Sequence, residues 1–349
     1  MIPTKGYAVH HAADKLAPWK FERRAVGAED VYIAIDYCGI CHSDIHQVRS
    51  EWAKGIYPMV PGHEIVGRVL KIGSNVHKFK IGDIVGVGCM VDSCGECTQC
   101  HTGREQFCEK GETVFTYNAL ERDKKTPTYG GYSNGIVVQQ NFVLKVSDKL
   151  PLQGVAPLLC AGITTYSPLR KWKIGKGHKV AVLGLGGLGH LAVKFAVAFG
   201  AEVTVLSTSP TKEKDALKLG AHHFCLTTDA VQVKKYTAYF DFIVDTVSAA
   251  HNYDMYLKML AANGVQILVG IPSTPIQFSG FSLLTNGRTL TASSIGGIPE
   301  TQEMLDYCAE NNIVSDVEVI PISYCNEAYE RVLKSDVKYR FVIDMKTLE

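Results

Sequence analysis

No run of residues in this sequence is apolar over the length a bilayer span needs, and the opening Met1-Ile2-Pro3-Thr4-Lys5-Gly6 lacks the apolar stretch of an export signal. An excess of one charge is also missing. The 36 basic and 35 acidic side chains leave a formal charge of +1, so no strong field exists to draw in nucleic acid or an anionic membrane surface. Internal repeats and low-complexity linkers are absent as well. A cytoplasmic protein with a small-molecule partner is the expectation. Cysteine is not scarce, but the count of eleven is odd, the chain is long and no export signal precedes it. Disulfide frameworks belong to small secreted domains, so reduced thiols and metal binding fit better.

A chain of 349 residues exceeds the usual size of one hydrophobic core, which predicts two domains. Residues 1–151 are rich in short β-type runs broken by Gly and Pro, among them Val31-Tyr32-Ile33-Ala34-Ile35 and Ile65-Val66-Gly67-Arg68-Val69-Leu70, the texture of a β-rich, partly barrel-like unit. From Leu152 to about residue 293 strands alternate with helical stretches. Lys179–Leu183, a helix from Gly187 to Phe199, Glu202–Leu206, Asp241–Asp245 and Val265–Val269 read as βαβ units on a parallel sheet. Residues 294–349, with the strand-like Tyr339–Asp344, are expected to return to the first domain.

Cys94-x2-Cys97-x2-Cys100-x7-Cys108 places four thiols in one polar loop, where their sulfurs can converge on a tetrahedral ion. Four thiolates fill the coordination shell of zinc and leave no position for substrate, which makes the site structural. An iron–sulfur cluster uses the same donors, but a second, mixed-ligand set favours zinc. That set comes from Gly39-Ile40-Cys41-His42-Ser43-Asp44-Ile45-His46 and Gly62-His63-Glu64, which bring a thiolate, an imidazole and a carboxylate next to turns. Mixed Cys/His ligation with one open position is the pattern of a catalytic zinc. Read by themselves, Ser43 could cap a helix starting near Asp44, with His46 on its exposed face.

Gly184-Leu185-Gly186-Gly187-Leu188-Gly189 follows one predicted strand and opens a helix. Its glycines allow a tight turn and let a pyrophosphate approach backbone amides at the helix amino end. Selection of NAD requires an acid at the end of the next strand, and none is present in Leu206-Ser207-Thr208-Ser209-Pro210-Thr211-Lys212. The hydroxyls of Ser207, Thr208 and Ser209 with the Lys212 cation could instead hold a 2′-phosphate. Ser209 could also cap a helix with Pro210 near its first position.

The segments GICHSDIHQV, PGHEIVGRV, GDIVGVG, the cysteine loop and APLLCAGITTYSPL resemble the zinc-containing medium-chain alcohol dehydrogenases, in particular the cinnamyl alcohol dehydrogenase branch, over essentially the full length. The resemblance implies an α/β fold, a Rossmann-type doubly wound sheet joined to a β-rich GroES-like catalytic domain, assembled as a homodimer. It implies two zinc ions per chain and NADP, with catalytic zinc held by Cys41, His63 and Cys160 and with Glu64 close to the metal. Cys160, in Leu158-Leu159-Cys160-Ala161, reads as a buried core thiol without it. Ser43 is then the first proton acceptor and His46 the end of a relay through the cofactor ribose. Arg340 is implied as a further cofactor contact, where a surface arginine is the default. Trp52, Met90 and Phe115 are implied as substrate-pocket residues. Ser294 stands where the resemblance to the plant enzymes of this branch implies a large aromatic, and Phe115 where it implies a Trp. That departure points to a broad range of aromatic and aliphatic aldehydes. A zinc polyol dehydrogenase is the rival enzyme, but it carries Glu at the position of Cys160 and an acid after the second strand. A non-catalytic protein of the same fold would have lost a ligand or the relay, and neither loss is visible.

Overall fold

The computed structural model describes residues 1–272 and 274–348 and divides into two compact units, Met1–Ile163 together with the segment from Gly296 onward, and Thr164–Ile295. The first unit is built on a seven-stranded sheet. Its central strand, Asp30–Gly39, buries Val31, Ile33 and Ile35 in alternation, as a strand with one face on the core does. It pairs antiparallel with Ile65–Ile72, with Gly135–Gln139 and with the carboxyl-terminal Arg340–Asp344. The last of these pairings returns the end of the chain to the first unit. Ile84–Val87 and Leu144–Lys145 extend the sheet on one side, and Val317–Pro321 closes the other. Two short antiparallel ribbons, Ile2–Ala8 with Ala17–Arg23 and Met90–Asp92 with Val114–Phe115, complete the strands of this unit among the described residues.

The unit boundaries fall at 163/164 and 295/296 rather than at 151/152 and 293/294. The change of texture at Leu152 marks the start of helices, Leu152–Val155, the 3-10 turn Ala156–Leu159 and then Ala161–Lys171, and the change of unit falls inside the last of these. Close packing keeps residues 152–163 with the first unit. A Cβ on Gly88 would come within 2.8 Å of the Leu159 carbonyl oxygen, and Ser315 N–H donates to Gly154 O at 3.0 Å.

In the second unit six parallel strands run in the spatial order His223–Leu226, Glu202–Ser207, Lys179–Leu183, Phe240–Asp245, Leu260–Leu268 and Thr289–Ala292. The order reverses between Lys179–Leu183 and Phe240–Asp245. Nucleotides bind at the carboxyl ends of such strands, at this switch point. The helix after the first strand is Gly189–Ala198, shorter than the expected 187–199 because Gly187 and Leu188 belong to the turn that enters it. Leu191, Ala192, Val193, Phe195 and Ala196 are buried along it, so the helix is held by packing rather than by propensity. Below the sheet's carboxyl end Phe240, Leu257, Leu260, Ile243 and Leu206 form one buried cluster.

Phe240 is fully buried and packs against the rings of Tyr236 and Tyr239, at 5.2 Å and 5.1 Å. Phe240→Ala should therefore destabilise the nucleotide-binding unit by about 3–5 kcal/mol in urea denaturation. A loss below about 1 kcal/mol would show that the cluster collapses around the gap.

Candidate active site

One carboxylate organises the mixed-ligand segments. The helix His42–Val48 begins with Cys41 at its N-cap, and the fully buried Asp44 reaches back so that Oδ2 accepts the Cys41 N–H at 2.8 Å. Its other oxygen, Oδ1, accepts from Gly62 N–H at 3.2 Å and from His63 Nδ1 at 3.0 Å. The cap is thus Cys41 with Asp44, not Ser43 as the residue types suggested. Gly62 has φ +104°, and a Cβ there would stand 2.6 Å from the Tyr132 ring and 2.8 Å from Cys38 Sγ, so only glycine lets the chain turn His63 inward. With Nδ1 committed to Asp44, His63 offers Nε2 to a metal.

Cys160 joins from its own turn. The ligand atoms of Cys41, His63, Glu64 and Cys160 all lie within 4.8 Å of one another, and the two sulfurs are 4.0 Å apart. Tetrahedral zinc with Zn–S bonds of about 2.3 Å would place them about 3.8 Å apart. The donor set fits zinc on two further counts. It is of mixed S, N and O type, and buried Glu64 Oε2 has no hydrogen-bond partner among the described residues. The other Glu64 oxygen is bound by Arg340, whose Nη2 also donates to Ile40 O at 2.8 Å. Burial pushes the Glu64 carboxyl up to about 7 even against the pull of that guanidinium. Arg340 is therefore no surface residue: it is buried because it is the counter-ion of Glu64.

Ser43 Oγ lies 3.5 Å from Cys41 Sγ. His46, one turn on, is sandwiched between the rings of His42 at 5.0 Å and Trp52 at 4.7 Å, and its Nδ1 pairs with Glu51. Trp52 is half exposed and packs on this imidazole. Met90 is buried and Phe115 is half exposed, the two facing one another across their ribbon. Sequence reasoning assigned no role to Asp44, Glu51 or Cys89. Asp44 carried a signal, an acid three residues after the N-cap, as in a capping box. Glu51 and Cys89, whose thiol faces that of Cys160, carried none.

The four-cysteine loop closes as expected. Sγ atoms of Cys94, Cys97, Cys100 and Cys108 lie within 4.8 Å of one another, with Cys94 to Cys100 at 3.7 Å and Cys97 to Cys108 at 4.0 Å. Backbone N–H groups of Glu96 and Cys97 point at Cys94 Sγ, and that of Glu109 at Cys97 Sγ, each at 3.4 Å, an arrangement that favours thiolates. Four sulfurs leave no open position, so a zinc ion held by this set would be structural.

In the second unit Gly184 has φ +90°, and a Cβ on Gly189 would come within 2.1 Å of Gly184 O, so the loop is as tight as its glycines allow. A Cβ on Gly186 would meet nothing within 4 Å, which leaves an open approach to the amides before the Gly189–Ala198 helix. Beyond the next strand, Ser207 Oγ accepts from Ser209 N–H at 3.2 Å, and Ser209 Oγ meets Thr211 Oγ1 at 2.8 Å. Ser209 occupies the N-cap of the 3-10 turn Pro210–Lys212, yet its hydroxyl caps no backbone amide. Thr208 and Lys212 lie on the same short segment.

Because Asp44 sets both the Cys41 turn and the His63 tautomer, Asp44→Asn should weaken zinc binding at the mixed-ligand site by about 10–100-fold, read by chelator competition, and leave the four-cysteine zinc in place. Equal loss from both sites would mean general unfolding.

Residues 27–148 match the alcohol dehydrogenase GroES-like domain family, and residues 187–310 match the zinc-binding dehydrogenase family. The chain is 54% identical to NADP-dependent alcohol dehydrogenase C 1 of Mycolicibacterium smegmatis, over 100% of this chain and 99% of that one. A cinnamyl alcohol dehydrogenase structure from Sorghum bicolor superposes with a TM-score of 0.96 at 44% identity, covering 99% of each chain. A Helicobacter pylori structure of the same type, complexed with NADP(H), superposes with a TM-score of 0.93 at 47% identity, covering 100% of this chain and 99% of that one. With its ligand sets, its nucleotide loop and these full-length matches, the chain belongs to the zinc-containing medium-chain alcohol dehydrogenases, in their cinnamyl alcohol dehydrogenase branch.

Proposed function

We propose that this protein is a zinc-dependent NADP(H) alcohol dehydrogenase that interconverts primary alcohols and aldehydes, aromatic and cinnamyl as well as aliphatic, by hydride transfer. The convergence of Cys41, His63 and Cys160 with Glu64 within 4.8 Å carries this reading. Bound zinc supplies a Lewis acid that stabilises negative charge on the substrate oxygen, and bound NADP(H) supplies or accepts the hydride.

The protein's own residues do the rest. Three ligands, Cys41, His63 and Cys160, leave one position open, and Glu64 stands beside it with one oxygen free. Arg340 holds Glu64 in place and pulls its carboxyl toward the ionised form against the push of burial, and this is the support it lends to the reaction. Ser43 holds the alcohol proton at its hydroxyl. His46 exchanges that proton with solvent, and pairing of Nδ1 with Glu51 leaves Nε2 as the working nitrogen. Gly184, Gly186, Gly187, Leu188 and Gly189 present amides to the pyrophosphate, while Ser207, Thr208, Ser209 and Lys212 receive the 2′-phosphate. Trp52, Met90 and Phe115 form an apolar wall for the aldehyde substituent. Eleven free cysteines fit the reducing cytoplasm. We also infer a homodimer. The half-exposed or more exposed side chains of Ile271, Phe281 and Leu284 precede the edge strand Thr289–Ala292, which has an unpaired side for a second copy.

Zinc-replete protein should oxidise NADPH in the presence of benzaldehyde or cinnamaldehyde, and absence of turnover overturns the enzymatic reading. Cys41→Ala or His63→Ala should abolish that turnover while circular dichroism stays unchanged, since an open metal site contributes less to folding than a closed one. Lys212→Ala should raise KM for NADPH about tenfold and leave KM for NADH within about twofold, the signature of one lost charge-assisted bond to phosphate. An equal change for both cofactors would remove Lys212 from the phosphate site.

A further inference from the structure

The strand Phe240–Asp245 ends at the switch point of the parallel sheet, beside Leu183 of the strand that leads into the Gly-rich loop. Asp245 is fully buried there. Its Oδ2 accepts from His251 Nε2 and from Gln266 Nε2, each at 2.9 Å, and its Oδ1 accepts from Val247 N–H at 3.2 Å. The other ring nitrogen of His251, Nδ1, lies 2.8 Å from Ala249 O. A carboxylate and a carbonyl are both acceptors, and a neutral imidazole has one N–H to give. Only the imidazolium makes both bonds. Asp245 is the charged group facing the ring; Tyr253, whose ring centroid is 4.1 Å away, and Tyr256, at 5.6 Å, are the other titratable groups packed on it. Burial pulls proton affinity down, but Asp245 and the Ala249 carbonyl outweigh it and hold the imidazole above its usual value.

The two bonds close the turn 246–250, and that turn is packed on the nucleotide loop. Thr246 donates from N–H at 3.0 Å and from Oγ1 at 2.8 Å to Leu183 O, the carbonyl just before Gly184. A Cβ on Gly184 would come within 2.9 Å of Thr246 Oγ1 and 3.0 Å of Val247 Cγ2, and one on Gly189 within 3.3 Å of Thr246 Oγ1. The turn cannot shift without disturbing the first and last glycines of the loop.

We propose that protonated His251 is a latch that holds the 246–250 turn against the Gly-rich loop, so that NADP(H) binding by this protein is linked to a proton on that ring. The proposal rests on the cofactor reading above. The sign follows from the bonds: the ring carries both protons in the binding-competent form, so cofactor affinity is greatest below the ring's titration and falls as pH rises through it. By reciprocity, NADPH binding takes up protons on the alkaline side. His251 is a positioning residue in this scheme, because it touches the turn and not the cofactor.

Ring 15N NMR of the whole protein should find His251 protonated on both nitrogens at pH 6.5. Titration calorimetry at pH 8 in buffers of different ionisation enthalpy should show proton uptake on NADPH binding. The NADPH Kd should rise about tenfold between pH 7 and 9, a window above the 2′-phosphate titration near pH 6. His251→Gln, which can serve only one of the two acceptors, should bind NADPH weakly and with a Kd that does not change across that window, the effect falling on KM more than on kcat. A neutral His251 ring at pH 6.5, or a wild-type Kd as flat with pH as that of the variant, overturns the latch. The wild-type NMR and calorimetry decide the matter if the variant does not fold. Absence of NADPH binding at every pH overturns the cofactor reading and the latch with it, whereas pH-independent binding overturns the latch alone.

Discussion

The buried carboxylate of Asp44 is the constraint on which the metal site depends. A carboxylate in a dry interior costs several kcal/mol unless its oxygens are bonded, and here Cys41 N–H, Gly62 N–H and His63 Nδ1 donate to it, with the Tyr132 hydroxyl at 3.5 Å. The first three belong to the two segments that carry Cys41 and His63. Satisfying the acid and assembling the ligands are therefore one event. The same bonds orient Cys41 at the head of a helix and choose the nitrogen that His63 presents.

Glu64 and Arg340 repeat this logic with both charges inside. The guanidinium comes from the last strand of the chain and pairs with a carboxylate next to a ligand, which ties the carboxyl terminus to the site across a sequence separation of 276 residues. One oxygen of Glu64 is thereby paired and the other left without a hydrogen-bond partner among the described residues. An unsatisfied buried oxygen is unfavourable in a protein without metal and useful beside a cation, so it is as telling as the ligands themselves. In the other unit the pair Asp245 and His251 does for the nucleotide loop what Asp44 does for the metal segments. Each uses a buried acid to close a turn whose position the function needs.

The four-cysteine loop belongs to another physical category. Its ligands lie within fifteen residues, its thiolates are met by local amides, and its shell is full. A metal held there would stabilise the segment and offer no position to a substrate.

Which features could be read from the sequence follows from range. Donors in one loop, a strand–glycine–helix pattern and an alternating strand are local, and local geometry is dictated by spacing and period, so the four-cysteine cluster, the Gly-rich turn between strand and helix and both sheet types were legible. The position of the unit boundary was not, because the helical texture from Leu152 says nothing of which sheet Leu159 packs against. Cys160 is 119 residues from Cys41 and stands in an apolar run, so its role was reached through family resemblance and its position by packing alone. Arg340, a surface residue by default and a cofactor contact by resemblance, is brought by the fold to Glu64, and Ser43 looked like a cap until Asp44 took that place. Spacing therefore determined what this chain can bind locally. Tertiary structure decided which distant groups share a charge, because a buried ion or an open metal shell is completed by whatever the fold carries to it, and no periodicity records that.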